Sequence, residues 1–598
     1  MSDESIASHK AARDAWLRAL QATAPIGDDP MLTLPRVVEQ LGAAAPDSPA
    51  LLGNGGAMTY RELAARLRAY SGWARRHGVG RGDIVGLLMG NAPEYLAIWL
   101  GITRIGGVVA LLNAHQTGDG LAHAINIVAP RHLIVGAGLA EAAETARPRL
   151  DSAPALWTHG EDHAGWRRID REIDESGQPD GDAVGHLVPT LADRALCIYT
   201  SGTTGLPKAA NVSHFRVVQW SRWFAGMMDA RPSDRMYNCL PMYHSVGGVV
   251  ATGAMLVSGG SVVIRERFSA SRFWDDVAAS ECTVFQYIGE LCRYLVNAPP
   301  HPRERSHRLR MSCGNGLRAD VWNAFRSRFA IPRNFEFYAA TEANFSLYNC
   351  EDEPGSIGRI PPYLSHRFPV ALVQLDVERG EPVRDAAGRC VRCAPNEPGE
   401  AISRIADRSA KGGSPFEGYT DRAASDRKIL RDAFEPGDAW FRSGDLMRKD
   451  ARGFYYFVDR LGDTFRWKGE NVSTGEVAEA ITACPGVSEA IVYGVAVPGA
   501  DGRAGMASIV AAAGFDPAAL RRHLGAALPD YARPVFLRLR AAIEITETFK
   551  HKKQDLMREG FDPAVIADPL YLDDRTAGKF VPIDAALHRR ILAREIRF

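Results

Sequence analysis

The chain has 598 residues, of which 46% are hydrophobic and 24% charged, so it is long enough for several folded domains and is not disordered, collagen-like or a coiled coil. Lys and Arg number 71, as do Asp and Glu, and a net charge of zero argues against a dedicated nucleic-acid-binding protein. The nine cysteines show no disulfide pattern, and we expect reduced thiols in a cytoplasmic protein.

Residues 1–30 are polar, and we interpret them as a peripheral segment without the apolar core of a signal peptide. Within it, Ser8 to Leu20 is predicted to form an amphipathic helix with Trp16, Leu17 and Leu20 on its apolar side. Such a helix either packs on its own domain, which we favour, or lies on a membrane surface.

Residues 31–461 are predicted to form a large α/β domain. Helical patterns at 60–77 and 93–104 alternate with short apolar runs, which is typical of buried, mainly parallel strands. These runs lie at 84–89, 108–112, 132–135, 195–199 and 261–264. The uncharged stretch 246–264 approaches the length of a membrane span, but a Gly pair divides it, and we predict a buried helix followed by a strand.

After about residue 376, turns separate short extended pieces, which indicates a β-rich subdomain. Residues 462–598 are predicted to form a small, mobile α+β domain at the C-terminus. Its predicted elements are a helix at 476–481, strands at 490–497 and 507–512, a helix at 517–524 and a strand at 535–539.

The segment from Tyr199 to Lys208 (YTSGTTGLPK) follows a predicted strand and has the features of a phosphate-binding loop. Gly202 and Gly205 can adopt positive φ, which lets backbone amides point into one concavity. Thr200, Ser201, Thr203 and Thr204 add hydroxyl donors, and Lys208 adds a positive charge. The glycine spacing differs from that of a GxxxxGK[ST] P-loop.

Five segments, in this order, resemble those of the adenylate-forming superfamily, which contains acyl-CoA synthetases, luciferases and peptide-synthetase adenylation domains. They are the loop above, Tyr338-Ala-Ala-Thr-Glu342, Trp440-Phe-Arg-Ser-Gly-Asp445, Asp459-Arg-Leu-Gly-Asp463 and Lys550. The stretch from Asp463 to Ser473 (DTFRWKGENVS) resembles the fatty-acid-transport-protein or very-long-chain acyl-CoA synthetase type.

This resemblance implies an ATP-dependent, AMP-forming ligase that converts a long- or very-long-chain fatty acid into an acyl-adenylate and then transfers it to coenzyme A. It implies that Mg²⁺ accompanies ATP, with the fatty acid and coenzyme A as partners. From the charge balance and the interrupted apolar stretches we expect no nucleic-acid partner and no transmembrane segment, although peripheral contact with a membrane stays open. Two alternatives stay open: a ligase for a bile acid, carnitine-like or aromatic carboxylate, and a membrane-associated lipid-uptake protein with secondary synthetase activity.

The resemblance also implies roles for individual residues, each with a structural alternative such as a core tyrosine, a capping aspartate or a turn glycine. Asp445 suits two vicinal ribose hydroxyls, and Arg460, which keeps its charge, suits ribose and phosphate oxygens. Glu342 and Thr200 supply oxygen ligands for Mg²⁺. The resemblance implies that Gly314, Asn315 and Tyr338 contact adenine and that Thr341 contacts the nucleotide. It implies that Lys208 and Lys550 neutralise phosphate charge. It also implies that His244 lines the site of the acyl carboxylate and that Gly469 lies beside the pantetheine arm of coenzyme A.

The sequence departs from the family pattern at two places. Gly462 stands at the hinge position that is often Asp or Lys, and Phe549 precedes Lys550 where Gly is usual, so Lys552 and Lys553 are rivals for its role. The aromatic stripe Gln219 to Met228 either lines the acyl pocket or belongs to the core.

Overall fold

The computed structural model describes residues 3–53, 56–175, 188–200, 207–376, 379–406, 416–468, 470–498, 500, 502–512, 514–543, 553–596 and 598. These residues belong to two compact units. The first comprises residues 1–359 and 405–429, and the second comprises residues 360–404 and 430–598.

Helices and strands alternate through the first part of the chain. In chain order they are α1 (Asp3–Thr23), α2 (Leu34–Ala44), β1 (Pro49–Gly53), β2 (Gly56–Thr59), α3 (Tyr60–Arg76), β3 (Ile84–Leu88), α4 (Pro93–Arg104), β4 (Val108–Leu112), α5 (Gly118–Asn126), β5 (His132–Gly136), α6 (Ala140–Ala146), β6 (Ala155–His159), β7 (Arg167–Arg168), α7 (Ile169–Glu175), β8 (Arg194–Thr200), β9 (Lys208–Ser213), α8 (His214–Met228), β10 (Arg235–Asn238), α9 (Ala251–Leu256), β11 (Ser261–Ile264), α10 (Phe273–Ala279), β12 (Val284–Ile288), α11 (Gly289–Asn297), β13 (Met311–Asn315), α12 (Ala319–Phe329), β14 (Asn334–Ala339), β15 (Ser346–Asn349) and β16 (Gly358–Arg359).

Strands predominate in the remainder of the chain until α14. The elements are β17 (Val370–Val373), β18 (Leu375–Asp376), β19 (Glu381–Pro382), β20 (Gly399–Arg404), α13 (Arg422–Asp426), β21 (Ile429–Arg431), β22 (Ala439–Lys449), β23 (Phe454–Arg460), β24 (Phe465–Trp467), β25 (Glu470–Val472), α14 (Thr474–Thr482), β26 (Val487–Ala496), β27 (Arg503–Ala511), α15 (Pro517–Ala527), β28 (Phe536–Arg540), α16 (Lys553–Glu559), β29 (Leu570–Asp574), β30 (Lys579–Pro582) and α17 (Ala585–Leu592).

Two large sheets build the first unit within the described residues. One has the strand order β7-β6-β5-β3-β4-β8-β9, and the other β15-β14-β13-β12-β10-β11-β1-β2. Adjacent strands within each sheet run parallel, except for the antiparallel pairs β8 with β9, β14 with β15 and β1 with β2. A strand such as β4 is buried along its whole length because helices cover both faces of a parallel sheet. The predicted α/β class with parallel sheets is therefore confirmed.

Helix α1 packs along α8, so the N-terminal helix lies against its own unit. The Trp16 side chain is buried, and its ring centroid lies 5.7 Å from that of Trp223 and 5.6 Å from that of Tyr348. Leu17, expected on the apolar side, is 43% exposed, so that detail of the prediction is wrong. Burial of the large Trp16 ring removes more apolar surface from water than burial of Leu17 would, so the helix turns its Trp16 side towards α8.

The apolar stretch at 246–264 is a helical segment followed by a strand, as predicted. A π-helical turn at Val246–Val250 leads into α9, and β11 follows. Within the described residues, no helix is both long enough and apolar enough to cross a membrane. The nine cysteines all lie in the described part, and none forms a disulfide.

The second unit has a β-rich part followed by an α+β part. Strands pair antiparallel in the order β23-β22-β20-β17. A second sheet in the described region has the order β26-β27-β28-β29-β30, with α14 and α15 between its strands in the sequence. All five elements predicted beyond residue 462 are present, with ends displaced by a few residues.

Candidate nucleotide site

The predicted phosphate loop joins the two strands of a β-hairpin. Thr200 ends β8 and Lys208 begins β9, and the two residues are direct cross-strand partners. A segment from the end of the first unit runs beside β9: Asn211 N donates to Gly418 O at 3.0 Å, and Thr420 N donates to Ala209 O at 2.9 Å. These backbone bonds bring Tyr419, which lies between them, to the base of the loop.

The Tyr419 hydroxyl connects the two residues expected to hold Mg²⁺. It donates to Glu342 Oε1 at 2.9 Å and also has a side-chain hydrogen bond with Thr200. Burial is the main reason that the pKa of Tyr419 lies well above its ordinary value. A hydroxyl and a carboxylate oxygen at one point fit a magnesium ion, which binds through few protein oxygens and completes its shell with phosphates and water.

Lys208 extends along the same tyrosine. Its Nζ lies 5.7 Å from the centroid of the Tyr419 ring, within cation–π range. Burial lowers the pKa of Lys208, and the nearby cations Arg427 and Lys428 lower it further. Cations crowded at the base of a phosphate loop are favourable when polyphosphate binds, because each is then neutralised by an anion.

The turn expected to contact adenine rests on a buried carboxylate. Glu336 on β14 accepts hydrogen bonds from Gly316 N, from Leu317 N at 3.1 Å and from the Tyr287 hydroxyl at 2.5 Å. Burial raises the pKa of Glu336 to about 8. At Gly314 an added Cβ would lie 2.3 Å from the Tyr287 carbonyl oxygen, so only glycine permits this approach of the strands.

The residues expected near adenine and the acyl carboxylate lie at neighbouring strand ends. Tyr338 stands near the end of β14, and its ring centroid is 5.6 Å from that of Phe345. Thr341 follows the strand, and its Oγ1 lies 3.0 Å from Ser245 Oγ. His244 precedes Ser245, so this contact places the predicted carboxylate wall beside the Thr341–Glu342 turn.

Aromatic side chains of α8 are packed into the core. The ring centroid of Phe224 lies 4.7 Å from that of Phe337 on β14, while Trp223 contacts Trp16 of α1. For these two residues the core interpretation of the aromatic stripe is therefore correct.

In the second unit, Asp445 and Arg460 form the pair expected to bind ribose. They are cross-strand partners on β22 and β23, and Arg460 Nε lies 3.5 Å from Asp445 Oδ1. Asp445 is buried except for 7% of its surface, whereas the Arg460 side chain is 47% exposed. A shielded carboxylate beside an accessible guanidinium fits a ligand with hydroxyl and phosphate groups.

The region expected to contain the hinge has an ion-pair network. Asp459 accepts from Thr474 N at 2.6 Å, and Lys553 Nζ donates to Thr474 Oγ1 at 2.7 Å and to Asp463 Oδ2 at 3.1 Å. Burial raises the pKa of Asp459. Gly462 has a φ of 97°, with no atom within 4 Å of an added Cβ, so its backbone rather than its packing requires glycine.

Several predicted site residues lie outside the described residues: Ser201, Gly202, Thr203, Thr204, Gly205, Gly469, Lys550 and Lys552. Sequence reasoning missed Tyr419 and Glu336. Glu336 carried a usable signal, because a charged residue inside the apolar run Phe335 to Tyr338 must have buried partners. Tyr419 carried none, because only the fold brings its segment beside β9.

Comparisons with known proteins identify the family to which the chain belongs. The family model described as AMP-binding enzyme matches residues 38–404, and the model of the AMP-binding enzyme C-terminal domain matches residues 476–550.

Two curated relatives cover most of the chain. Long-chain fatty acid transport protein 1 of Mus musculus is 38% identical over 577 residues, covering 94% of this chain and 88% of that protein. The medium/long-chain-fatty-acid–CoA ligase FadD6 of Mycobacterium tuberculosis is 40% identical over 519 residues, covering 86% of this chain and 83% of that protein.

Two solved structures resemble the fold. The anthranilate CoA ligase AuaEII in complex with anthranoyl-AMP has a TM-score of 0.75 at 20% identity, covering 89% of this chain and 98% of that chain. ATP-bound MatB from Rhodopseudomonas palustris has a TM-score of 0.73 at 22% identity, covering 88% of this chain and 98% of that chain. At these identities the likeness establishes the adenylate-forming fold alone.

Proposed function

This chain belongs to the family of AMP-binding enzymes, and we propose that it is an AMP-forming ligase that activates a long- or very-long-chain fatty acid with ATP and transfers the acyl group to coenzyme A. The observation that carries the proposal is the meeting of Thr200 and Glu342 at the Tyr419 hydroxyl, beside Lys208. The names of the curated relatives support a fatty acid as the substrate.

In the first half-reaction, a carboxylate oxygen attacks the α-phosphorus of ATP, the bond to pyrophosphate breaks, and acyl-adenylate forms. Because one anion attacks another, positive charge must lie close to the phosphates. Lys208 supplies it from the hairpin, and Lys550 supplies it from the C-terminal domain. Mg²⁺, when bound, adds Lewis-acid neutralisation of the phosphate oxygens at Thr200 and Glu342.

In the second half-reaction, the thiol of coenzyme A attacks the acyl carbonyl and AMP leaves. We assign Gly462 as the pivot that withdraws Lys550 and brings Gly469 to the pantetheine arm. A pivot must absorb a large change in φ and ψ over a few residues, which glycine allows. Asp445 and Arg460 retain the ribose in both steps. The corresponding location is the cytoplasm, with peripheral contact with membranes that supply the lipid.

The test is release of AMP by the purified chain from ATP, Mg²⁺ and a panel of acids, with and without coenzyme A. Palmitate and lignocerate should release AMP, with sustained turnover when coenzyme A is present. Exclusive activity with benzoate, cholate or carnitine would replace the fatty acid by another carboxylate. Vesicle-to-vesicle transfer of fatty acid without AMP release would support the lipid-uptake alternative instead.

Asp445→Asn serves as a site control in this assay. The substitution replaces one carboxylate oxygen by an NH₂ group, which cannot accept a hydrogen bond, so one ribose hydroxyl loses its acceptor and the KM for ATP should rise. An unchanged KM in a folded variant would remove Asp445 from the ribose site.

A further inference from the structure

Arg216 is a buried cation near the start of α8, the helix that begins directly after β9. It occupies the third position of the helix, after the N-cap Ser213, and is 2% exposed. A positive charge is disfavoured there twice, by loss of hydration and by the positive end of the helix dipole. Burial accordingly lowers the pKa of Arg216. A residue with these costs requires a compensating role.

The guanidinium contacts the turn that carries Glu342. Its Nη2 donates to the carbonyl oxygen of Ala343, while Nε and Nη1 have no hydrogen-bond partner among the described residues. The guanidinium carbon lies 5.2 Å from the Trp220 ring centroid, and Glu342 and Glu417 are its electrostatic partners. A neutral donor would be enough to make one hydrogen bond to the Ala343 carbonyl. The positive charge of Arg216 therefore points to an electrostatic interaction beyond that hydrogen bond.

The neighbouring contacts fix this arrangement in place. Glu417 accepts from Ser213 N at 2.7 Å and from Ser213 Oγ at 2.5 Å, which holds the start of α8 against the segment that contains Tyr419. Glu342 is therefore held from two sides, by the Tyr419 hydroxyl at its carboxylate and by Arg216 at the next carbonyl.

We propose that Arg216 is a positioning residue for the polyphosphate part of the nucleotide: it fixes the Glu342–Ala343 turn and adds a permanent positive charge behind it. The inference rests on the proposed function, in which Glu342 and Thr200 serve the ion that accompanies the phosphates. Because AMP lacks the β- and γ-phosphates, the effect of Arg216 falls on ATP and spares AMP.

The test compares equilibrium binding of ATP with Mg²⁺ and of AMP, by calorimetry and without turnover, in three variants of the full chain. Arg216→Met removes the charge and the donor while keeping the apolar stem. We expect it to weaken ATP binding about tenfold or more, as for loss of a charge-assisted hydrogen bond. AMP binding should change by less than about threefold, which is about 0.65 kcal/mol. Arg216→Lys retains a positive charge on a different side chain, and its affinity for ATP should lie between those of Arg216→Met and the wild type.

Arg222→Met is the matched control, because Arg222 lies on the same helix, is partly buried and directs Nη1 to Ala22 O at 3.4 Å on α1. It should leave both affinities unchanged. Equal weakening of ATP and AMP by Arg216→Met, or no weakening, would overturn the inference. If Arg216→Met does not fold by circular dichroism, the same comparison with Arg216→Lys decides. A wild-type chain that binds no ATP would refute the proposed function itself.

Discussion

Glu336 makes the stability of the first unit depend on pH in a direction opposite to that of a paired carboxylate. Its folded-state pKa is raised by burial from 4.5 to about 8, so the folded state holds a proton that the unfolded state has released. The resulting stabilisation is fully present below pH 4.5 and is lost as the pH rises through about 8. Glu336→Gln, which resembles the protonated form, should remove this dependence.

The magnitude follows from the shift. Each pH unit between the two pKa values changes the free energy of unfolding by about 1.4 kcal/mol. From about pH 6 to about pH 8, near the folded pKa, the wild type should therefore lose about 2 kcal/mol relative to Glu336→Gln. The glutamine retains an oxygen for the Gly316 and Leu317 amides and an amino group for Tyr287 Oη, so we expect it to fold.

The assay is urea unfolding followed by tryptophan fluorescence at both pH values, scored as the difference between variant and wild type so that other titrating groups cancel. Glu290→Gln, a partly exposed glutamate at the start of α11, is the control and should keep the wild-type pH dependence. If Glu336→Gln shows the same loss of stability with rising pH as the wild type, Glu336 is not the group responsible.

Three further predictions concern the site. Tyr419→Phe should lower kcat/KM for ATP by about tenfold through loss of one hydroxyl hydrogen bond to a carboxylate, whereas Tyr60→Phe, at another buried hydroxyl, should alter stability but not this ratio; equal effects on activity would contradict the role of Tyr419. Lys550→Ala should slow adenylation by about a hundredfold or more while sparing thioester formation from supplied acyl-adenylate, and Lys553→Ala, whose amine already binds Asp463 and Thr474, should not reproduce this selective loss. Gly462→Pro fixes φ near −65° and should leave adenylation but stop thioester formation, so that acyl-adenylate accumulates with coenzyme A present; equal loss of both steps in a folded variant would exclude Gly462 as the pivot.

The sequence by itself determined the alternation of elements and the position of the phosphate loop. Helix α4 begins and ends where the pattern predicted, and β4 and β11 coincide with their apolar runs. Such features are readable because they depend on residues close in sequence: a proline at the first turn, a β-branched run and a glycine turn. The glycines, threonines and lysine of the loop likewise lie within ten residues of one another.

Only the tertiary structure decided which residues surround the predicted magnesium ligands. Tyr419 reaches Glu342 across 77 residues of sequence, and Arg216 reaches Ala343 across 127. These contacts arise because β9 accepts a distant segment along its free edge and α8 starts directly after that strand. The sequence of an edge strand does not specify which segment pairs with it, because the pairing uses backbone amides and carbonyls that are common to nearly all residues. The local pattern therefore predicts the loop, and the pairing of strands decides what supports it.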